Sequence, residues 1–483
     1  MILTDLVKSV QPVSMHGDLT LEVDHVDRDT RRVGPGGLFV AIRGARVDGH
    51  DLVDTLDPSV VVVAETPPPA GTQRTWIQVA DTLQALPKLA ARVVNDPSHT
   101  LPVVAVTGTN GKTTVTTLLA QLADQLQLGG GYIGTVGSAA RGQRLPSTLT
   151  TPEAPELHRL LKQMLERQVA VAAIEASSIG LVRHRLDETR VTLAIFTNLG
   201  RDHLDAHGTV ERYAEAKALL FTELLRPQGG APRALMCADD PWWPKMNAPD
   251  DHWTYGFAPA ADVSVREWTT DPDGSVFTLL TPSGVGTFRS SLVGRHNVQN
   301  LAAVVGAGLL LGWPLQAMVE ALPAVRGPAG RMQKVANDRG ILVLVDYAHT
   351  PDALSAALAS CKTAGNGRIW VVFGCGGDRD QTKRPEMGRC ALQADRVVLT
   401  SDNPRSEDAA QIAADVLAGL GTQVSRVHVE LDRRAAIAHA LGGASAGDVV
   451  LIAGKGHEST QEIDGVKHPF DDVEVARSIL EGR

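Results

Sequence analysis

Four apolar residues, Val103-Val104-Ala105-Val106, run into Thr107-Gly108-Thr109-Asn110-Gly111 and then into Lys112-Thr113-Thr114. A short β-branched run that stops at a glycine turn and restarts with helical character reads as a buried parallel strand feeding a helix. That arrangement predicts a doubly wound α/β sheet around these residues. The turn also predicts a cradle for a polyphosphate, because backbone N–H groups, a helix N-terminus and the Lys112 charge converge there. The fit to the pattern G-x-x-x-x-G-K-[ST] is incomplete, since Val106 stands in the place of the first glycine. The alternative is a strand-to-helix turn with no ligand, which leaves Lys112 and Thr113 at the helix start without a purpose.

At 483 residues the chain is too long for one core, and at about 150 residues per domain it predicts three. Short strand-like runs at 37–42 and 60–64, separated by Gly/Pro clusters, predict a small N-terminal α/β domain. A helical stretch at 81–94 precedes a first boundary near Pro97. Apolar runs at 169–174, 191–196 and 234–237 read as further parallel strands of the central sheet, and alternation over 262–293 predicts hairpins at its edge. Helical character returns at Val298. Gly327-Pro328-Ala329-Gly330 marks a second boundary, after which 341–345, 369–373, 397–399 and 449–453 predict a second nucleotide-type sheet. The expected domains are 1–97, 98–330 (P-loop type, doubly wound) and 331–483 (Rossmann-like α/β).

Lys plus Arg number 46 against 55 Asp plus Glu, a net charge of −9, so no basic surplus exists to follow a nucleic-acid backbone. The greasiest segment, 301–311, is interrupted by Gly306 and Gly308 and falls short of the roughly 20 residues that span a bilayer. The first ten residues carry Asp5 and Lys8 and lack signal-peptide order, so the chain is expected in the cytoplasm. Cys237, Cys361, Cys375 and Cys390 are scattered without a C-x-x-C pair and read as reduced, packed thiols.

Glu175 ends one predicted parallel strand and His203 follows another, so both fall at the C-terminal edge of the sheet, beside the phosphate loop. A hard cation bridging phosphate oxygens wants carboxylate ligands, with His203 as an unusual extra. Taken alone, His203 reads as a capping or core histidine. Beside Asp202, Asp205 and the loop it reads as part of a site.

Thr107-Gly108-Thr109-Asn110-Gly111-Lys112-Thr113-Thr114 resembles the ATP loop of the Mur ligase family, which also contains folylpolyglutamate synthetase. The resemblance continues in family order through Glu175-Ala176-Ser177-Ser178, Thr197-Asn198-Leu199-Gly200-Arg201-Asp202-His203, Gly294-Arg295-His296-Asn297, Asp346-Tyr347-Ala348-His349 and Ala453-Gly454-Lys455-Gly456-His457-Glu458. It implies ATP held by Gly108, Thr109, Asn110, Gly111, Lys112, Thr113 and Thr114, with Asn297 near the adenine and Arg331 reaching in from the C-terminal domain. For Asp346 and His349 a structural strand-end role stands beside direct nucleotide contact. Magnesium, as two ions, is implied at Thr113, Glu175, His203 and Lys217. The family lysine matched by Lys217 is carbamylated by carbon dioxide; from sequence alone it reads as an exposed helix lysine.

Further matches are Thr30, Thr150, Thr151, Ser177 and Arg185 for a UDP-muramyl dipeptide, with Arg183 where the family commonly has glutamine and an exposed helix residue as the other reading. Thr30 replaces a serine, and Ala45-Arg46-Val47-Asp48-Gly49 replaces a more polar segment near the uridine. Asp402-Asn403-Pro404-Arg405 resembles the loop of members that add meso-diaminopimelate, whereas lysine-adding members lack this arginine. A guanidinium holds the extra carboxylate bidentately, and lysine would leave it unpaired. Arg379, Asp402, Asn403, Pro404, Arg405, Gly454 and Glu458 are the implied pocket. On spacing alone Asn403-Pro404 is a turn. The expectation is a monomeric, ATP-dependent amide ligase of peptidoglycan precursor synthesis. Its rivals are a lysine-adding or folate-type ligase and a non-catalytic ATP-switched binding protein.

Overall fold

The computed structural model describes residues 1–44, 47–147, 149–225 and 233–482, with only the backbone of Leu204 and Asp205. Among these residues three α/β sheets follow one another along the chain. In the first, the strands run in the order Ser14–His16, Trp76–Gln78, Val61–Ala64, Gly37–Val40 and His25–Asp27; the outermost pairing, of Ser14–His16, is antiparallel and the rest are parallel. Its two faces carry separate apolar clusters, one around Leu38 and Ile77 beneath the helix Thr82–Val93, the other around Phe39 and Trp76.

The central sheet is built on Val103–Thr107, flanked in parallel by Val171–Glu175 and Val191–Phe196. Val103, Val104, Ala105 and Val106 are wholly buried, as a strand covered by helices on both faces requires. The register puts Glu175 level with Val106 and Phe196 level with Thr107, so the three strands end together and their loops open on one crevice. The helix Lys112–Gln125 leaves that edge. The segment 301–311 lies mostly within the helix Arg295–Leu310, whose residues Leu301 to Ala307 are buried against the sheet. Among the described residues no helix is long and apolar enough to cross a membrane. That helix begins at Arg295, three residues before the helical onset expected at Val298.

The hairpins expected over 262–293 are Val263–Asp271, Gly274–Thr281 and Gly284–Ser290, antiparallel at one edge. The other edge holds Gly130–Gly134, Gly137–Ala140 and Gln143–Leu145, which the sequence reading missed. The reason is packing: a Cβ on Gly130 would lie 1.9 Å from the Ala120 carbonyl oxygen, so only glycine lets this strand approach the loop helix. The strand Trp253–Gly256, paired in parallel between Ala234–Cys237 and Val263–Asp271, was also missed, its Trp and Tyr set among polar residues.

The third sheet orders Gln333–Val335, Leu342–Asp346, Val449–Ala453, Ile369–Phe373, Arg396–Leu399 and Val427–Val429, parallel except for the first pairing. Its strands point their C-terminal ends toward the central crevice, which Arg331, Tyr347, His349 and Thr350 help to line.

Candidate active site

The phosphate loop is fixed from beneath by the strand end beside it. Thr197 Oγ1 donates to Asn110 O at 2.6 Å, the Asn110 N–H donates to Asn198 Oδ1 at 2.9 Å, and the Thr109 N–H donates to Asn198 O at 2.8 Å. Gly108 has φ +147°, and a Cβ there would sit 1.9 Å from Thr197 Oγ1, so both backbone shape and space demand glycine. Lys112 folds back under the loop, its Nζ donating to Gly108 O at 2.7 Å and Thr109 O at 2.8 Å.

A second lysine meets the same carbonyl: Lys217 Nζ donates to Gly108 O at 2.9 Å and lies 4.3 Å from the Tyr213 ring centroid. The exposed-lysine reading is therefore corrected. Lys217 is 1% exposed, on the inward face of the helix Val210–Leu219 among Tyr213, Ala214 and Ala218. Loss of water first, and the Lys112 charge second, push its amine well below the ordinary lysine value, with Asp202 opposing. The direction of that shift favours the uncharged, nucleophilic form of the amine. Lys112 is lowered too, chiefly by desolvation, while Glu175 and Asp202 support its charge.

Glu175 is 1% exposed and its carboxylate is aimed by Thr135, whose N–H donates to Oε1 at 2.7 Å and whose hydroxyl donates to Oε2 at 3.1 Å. The Thr135 and Thr150 hydroxyls meet at 3.0 Å, and Thr151 Oγ1 pairs with Glu175 O at 2.6 Å and Ser177 Oγ at 2.8 Å. Arg185 Nη1 donates to Thr151 O at 3.0 Å, and its Nη2 pairs with Glu153 at 2.8 Å. Glu153 also takes Arg28 of the N-terminal domain at 3.3 Å, so the cavity wall is tied to the first sheet.

A single cavity of about 300 Å³ gathers Thr109, Asn110, Gly111, Lys112, Thr113, Thr114, Thr150, Thr151, Glu175, Ser177, Arg185, Asp202, His203, Lys217, Arg331 and His349. His203 is half-exposed, with Nε2 3.6 Å from Asp202 Oδ2. Arg331 crosses from the C-terminal domain, its Nη2 donating to Thr113 Oγ1 at 3.4 Å and its guanidinium 4.8 Å from the Tyr347 ring.

Several expected residues lie off this cavity. Arg183 is exposed at the end of the short helix Ser178–Val182. Asn297 is buried and its amide donates to Val293 O at 2.9 Å, closing the start of its own helix. Asp346 accepts from the Met332 N–H at 2.7 Å and the Ala348 N–H at 2.9 Å, a strand-end role. Thr30 sits in the turn Thr30–Arg32, tied to the central domain through Arg32 and Glu156 at 3.1 Å. Ala45, Arg46 and the Asp205 side chain lie outside the described residues.

The second constellation stands at the ends of the C-terminal strands. Asn403 Nδ2 donates to Glu458 Oε2 at 2.8 Å, and the buried Lys455 Nζ donates to Asn403 Oδ1 at 3.0 Å and Glu458 Oε2 at 3.1 Å. Arg405 Nη1 donates to Gly377 O at 2.6 Å, while Asp402 packs behind Gly454, where a Cβ would fall 2.4 Å from its Oδ2. Pro404 is buried in the same turn and Arg379 is exposed at its rim. Tyr347, 5.1 Å from the His457 ring, joins this pocket to the nucleotide cavity.

Family models described as the Mur ligase middle domain and the Mur ligase glutamate ligase domain match residues 106–308 and 330–456. A UDP-N-acetylmuramoyl-L-alanyl-D-glutamate--2,6-diaminopimelate ligase of Gloeobacter violaceus is 43% identical over 96% of this chain and 95% of its own. The chain belongs to the Mur ligase family. The ligase of the same description from Geobacter metallireducens is 40% identical over 100% of this chain and 99% of its own. A solved structure of a ligase of that description superposes with a TM-score of 0.70 at 35% identity, covering 100% of this Mur ligase and 99% of that chain.

Sequence reasoning overlooked Thr135, Thr197, Asn198, Tyr213 and Lys455 as working parts. Asn198 and Lys455 lay inside segments already matched to the family and carried a legible signal; Thr135, next to the unrecognised strand Gly130–Gly134, carried none.

Proposed function

We propose that this Mur ligase uses ATP to join meso-2,6-diaminopimelate to UDP-N-acetylmuramoyl-L-alanyl-D-glutamate in peptidoglycan precursor synthesis, as a cytoplasmic monomer with domain limits 1–97, 98–330 and 331–483. The observation that carries the choice of amino acid is the pocket itself, where Arg405 stands beside the Asn403–Glu458–Lys455 network at the mouth of the nucleotide cleft. Arg405 offers a fork to a carboxylate and Glu458 an acceptor to an ammonium, which is the pairing that the far end of diaminopimelate presents.

The loop N–H groups, Lys112 and Arg331 hold the ATP phosphates, while Thr150, Thr151, Ser177 and Arg185 hold the dipeptide end of the UDP substrate. Its γ-carboxylate attacks the γ-phosphorus, releasing ADP and leaving an acyl phosphate. The diaminopimelate amine then attacks the acyl carbon and expels inorganic phosphate, losing a proton. No protein nucleophile is needed, so positioning and charge neutralisation carry the rate.

Glu175 and the Thr113 hydroxyl are hard oxygen donors suited to magnesium, and a neutral Lys217 amine is the form that adds carbon dioxide, releasing a proton to become a carbamate anion that would supply further oxygens. His203, on the cavity wall, completes the proposed set. Bound there, magnesium supplies positive charge to the phosphoryl group in transit. Asn297 and Asp346 act from outside the cavity, closing a helix start and a strand end behind it, whereas His349, whose Nδ1 lies 2.7 Å from Tyr347 O, lines it. The test is mass analysis of the product from equimolar meso-diaminopimelate, lysine and ornithine. A UDP-tripeptide carrying diaminopimelate supports the reading, and a predominantly lysine- or ornithine-bearing product overturns it.

A further inference from the structure

Behind the amino-acid pocket lies a buried ion pair outside the lining of the nucleotide cavity. Arg433 opens the helix Arg433–Gly443 and Asp472 opens the helix Asp472–Leu480; both side chains are 0% exposed. Their contact is a two-point fork, Nε to Oδ1 at 2.8 Å and Nη2 to Oδ2 at 2.7 Å. The same guanidinium donates to Ser401 O at 3.3 Å and Ala453 O at 3.0 Å. Ser401 directly precedes Asp402 and Asn403, and Ala453 directly precedes the run from Gly454 to Glu458.

These two strand ends are not neighbours. Between Arg396–Leu399 and Val449–Ala453 runs Ile369–Phe373, so no ladder joins the two strand ends themselves; the loops pair further on, where the Arg405 backbone bridges to Glu462 and Asp464 and Gln461 Nε2 donates to Asp402 O at 2.7 Å. Arg433 bridges that gap from below, and Asn403 with Glu458 closes it from above at 2.8 Å. Asp472 accounts for most of the support for the buried Arg433 charge, and the carboxylates of Asp402 and Glu458 add to it, so the clamp and the pocket also feel one another electrostatically. Stability does not explain the pair, because apolar residues of similar volume commonly replace a buried ion pair without loss.

We propose that Arg433 and Asp472 are positioning residues for the amino-acid substrate: they fix the separation of the two loops so that Arg405, Asn403 and Glu458 engage one diaminopimelate together. The inference rests on the pocket assignment given above. It predicts a defect confined to the amino acid, since the ATP and UDP-substrate contacts stand on other elements.

The test is the double variant Arg433→Met/Asp472→Leu, with KM measured for each of the three substrates at saturating levels of the other two, and with a thermal melt. The expected result is a KM for meso-diaminopimelate raised at least about tenfold, KM values for ATP and the UDP substrate within about twofold of wild type, and a smaller preference for diaminopimelate over lysine. Asp472→Asn, which keeps the shape and one acceptor, is the second variant should the double one fail to fold; it should raise the same KM about threefold or more. Arg433→Lys, keeping the charge but not the fork, should fall between. An unchanged diaminopimelate KM in a folded variant, or an equal rise for all three substrates, overturns the clamp. Wild-type protein that does not use diaminopimelate overturns the pocket assignment itself, so the two failures are separable.

Discussion

Replacing Arg405 by alanine isolates one guanidinium. Its backbone N–H donates to Glu462 O at 3.0 Å and its carbonyl accepts from the Asp464 N–H at 2.7 Å, bonds that any residue at this φ of +53° retains. The side chain alone is lost, and with it the contact to Gly377 O and the group facing Glu462 at 3.9 Å. Leaving a desolvated carboxylate without its charge-assisted fork costs about 2–5 kcal/mol. Arg405 keeps 22% of its side chain exposed, so water partly replaces it and the lower half of that range applies, roughly 2–3 kcal/mol. At about 1.4 kcal/mol per decade, kcat/KM for meso-diaminopimelate should fall by roughly 30- to 150-fold. Lysine has no second carboxylate to lose, so its poor turnover should stay level or rise. The assay is the ratio of the two efficiencies in wild type and variant under identical conditions. An unchanged ratio refutes the reasoning, because Arg405 would then not read the distal carboxylate.

Lys217→Ala should abolish turnover and regain part of it in the presence of short carboxylates that stand in for the carbamate; full activity in the untreated variant removes Lys217 from the site. Lys112→Ala should slow single-turnover phosphoryl transfer far more than it weakens binding of the UDP substrate, and equal losses would count against separate domains for the two. His158 is buried, and desolvation lowers its imidazole from 6.5 to about 4. Below pH 6.5 the unfolded chain binds a proton that the fold refuses, so stability is full above 6.5 and declines as pH falls toward 4, by about 3 kcal/mol from this residue. Urea midpoints of His158→Gln should therefore depend less on pH between 7 and 4.5 than those of wild type, and parallel profiles would contradict this.

What the chain disclosed in advance follows from how each feature is encoded. The strand Val103–Thr107 and the lysine at the start of the next helix were legible because burial on both faces forces an unbroken apolar run and phosphate binding forces glycines before a cation. Gly130–Gly134 was illegible because its residues answer to the close approach of a helix, and β-propensity does not register that. Lys217 was legible only through the family resemblance, because Glu215-Ala216-Lys217-Ala218 has the composition of a solvated helix, and only the third dimension turns that lysine inward beneath Gly108. Arg433 and Asp472 escaped notice for the same reason, each being a charged residue at a helix start, where exposure is the ordinary expectation. The Asp402–Arg405 loop lay between, an ordinary turn by spacing, identified through its family resemblance and then found folded against Glu458 and Lys455.

The central claim is that one cleft couples ATP cleavage to the meeting of two particular substrates, and phosphate release tests it most directly. With magnesium, ATP, the UDP-muramyl dipeptide and meso-diaminopimelate together, inorganic phosphate should appear in a one-to-one ratio with a UDP-tripeptide, and omission of either the dipeptide or the amino acid should reduce the rate to background. Phosphate release that continues without diaminopimelate, or that proceeds without a tripeptide being formed, would contradict the account.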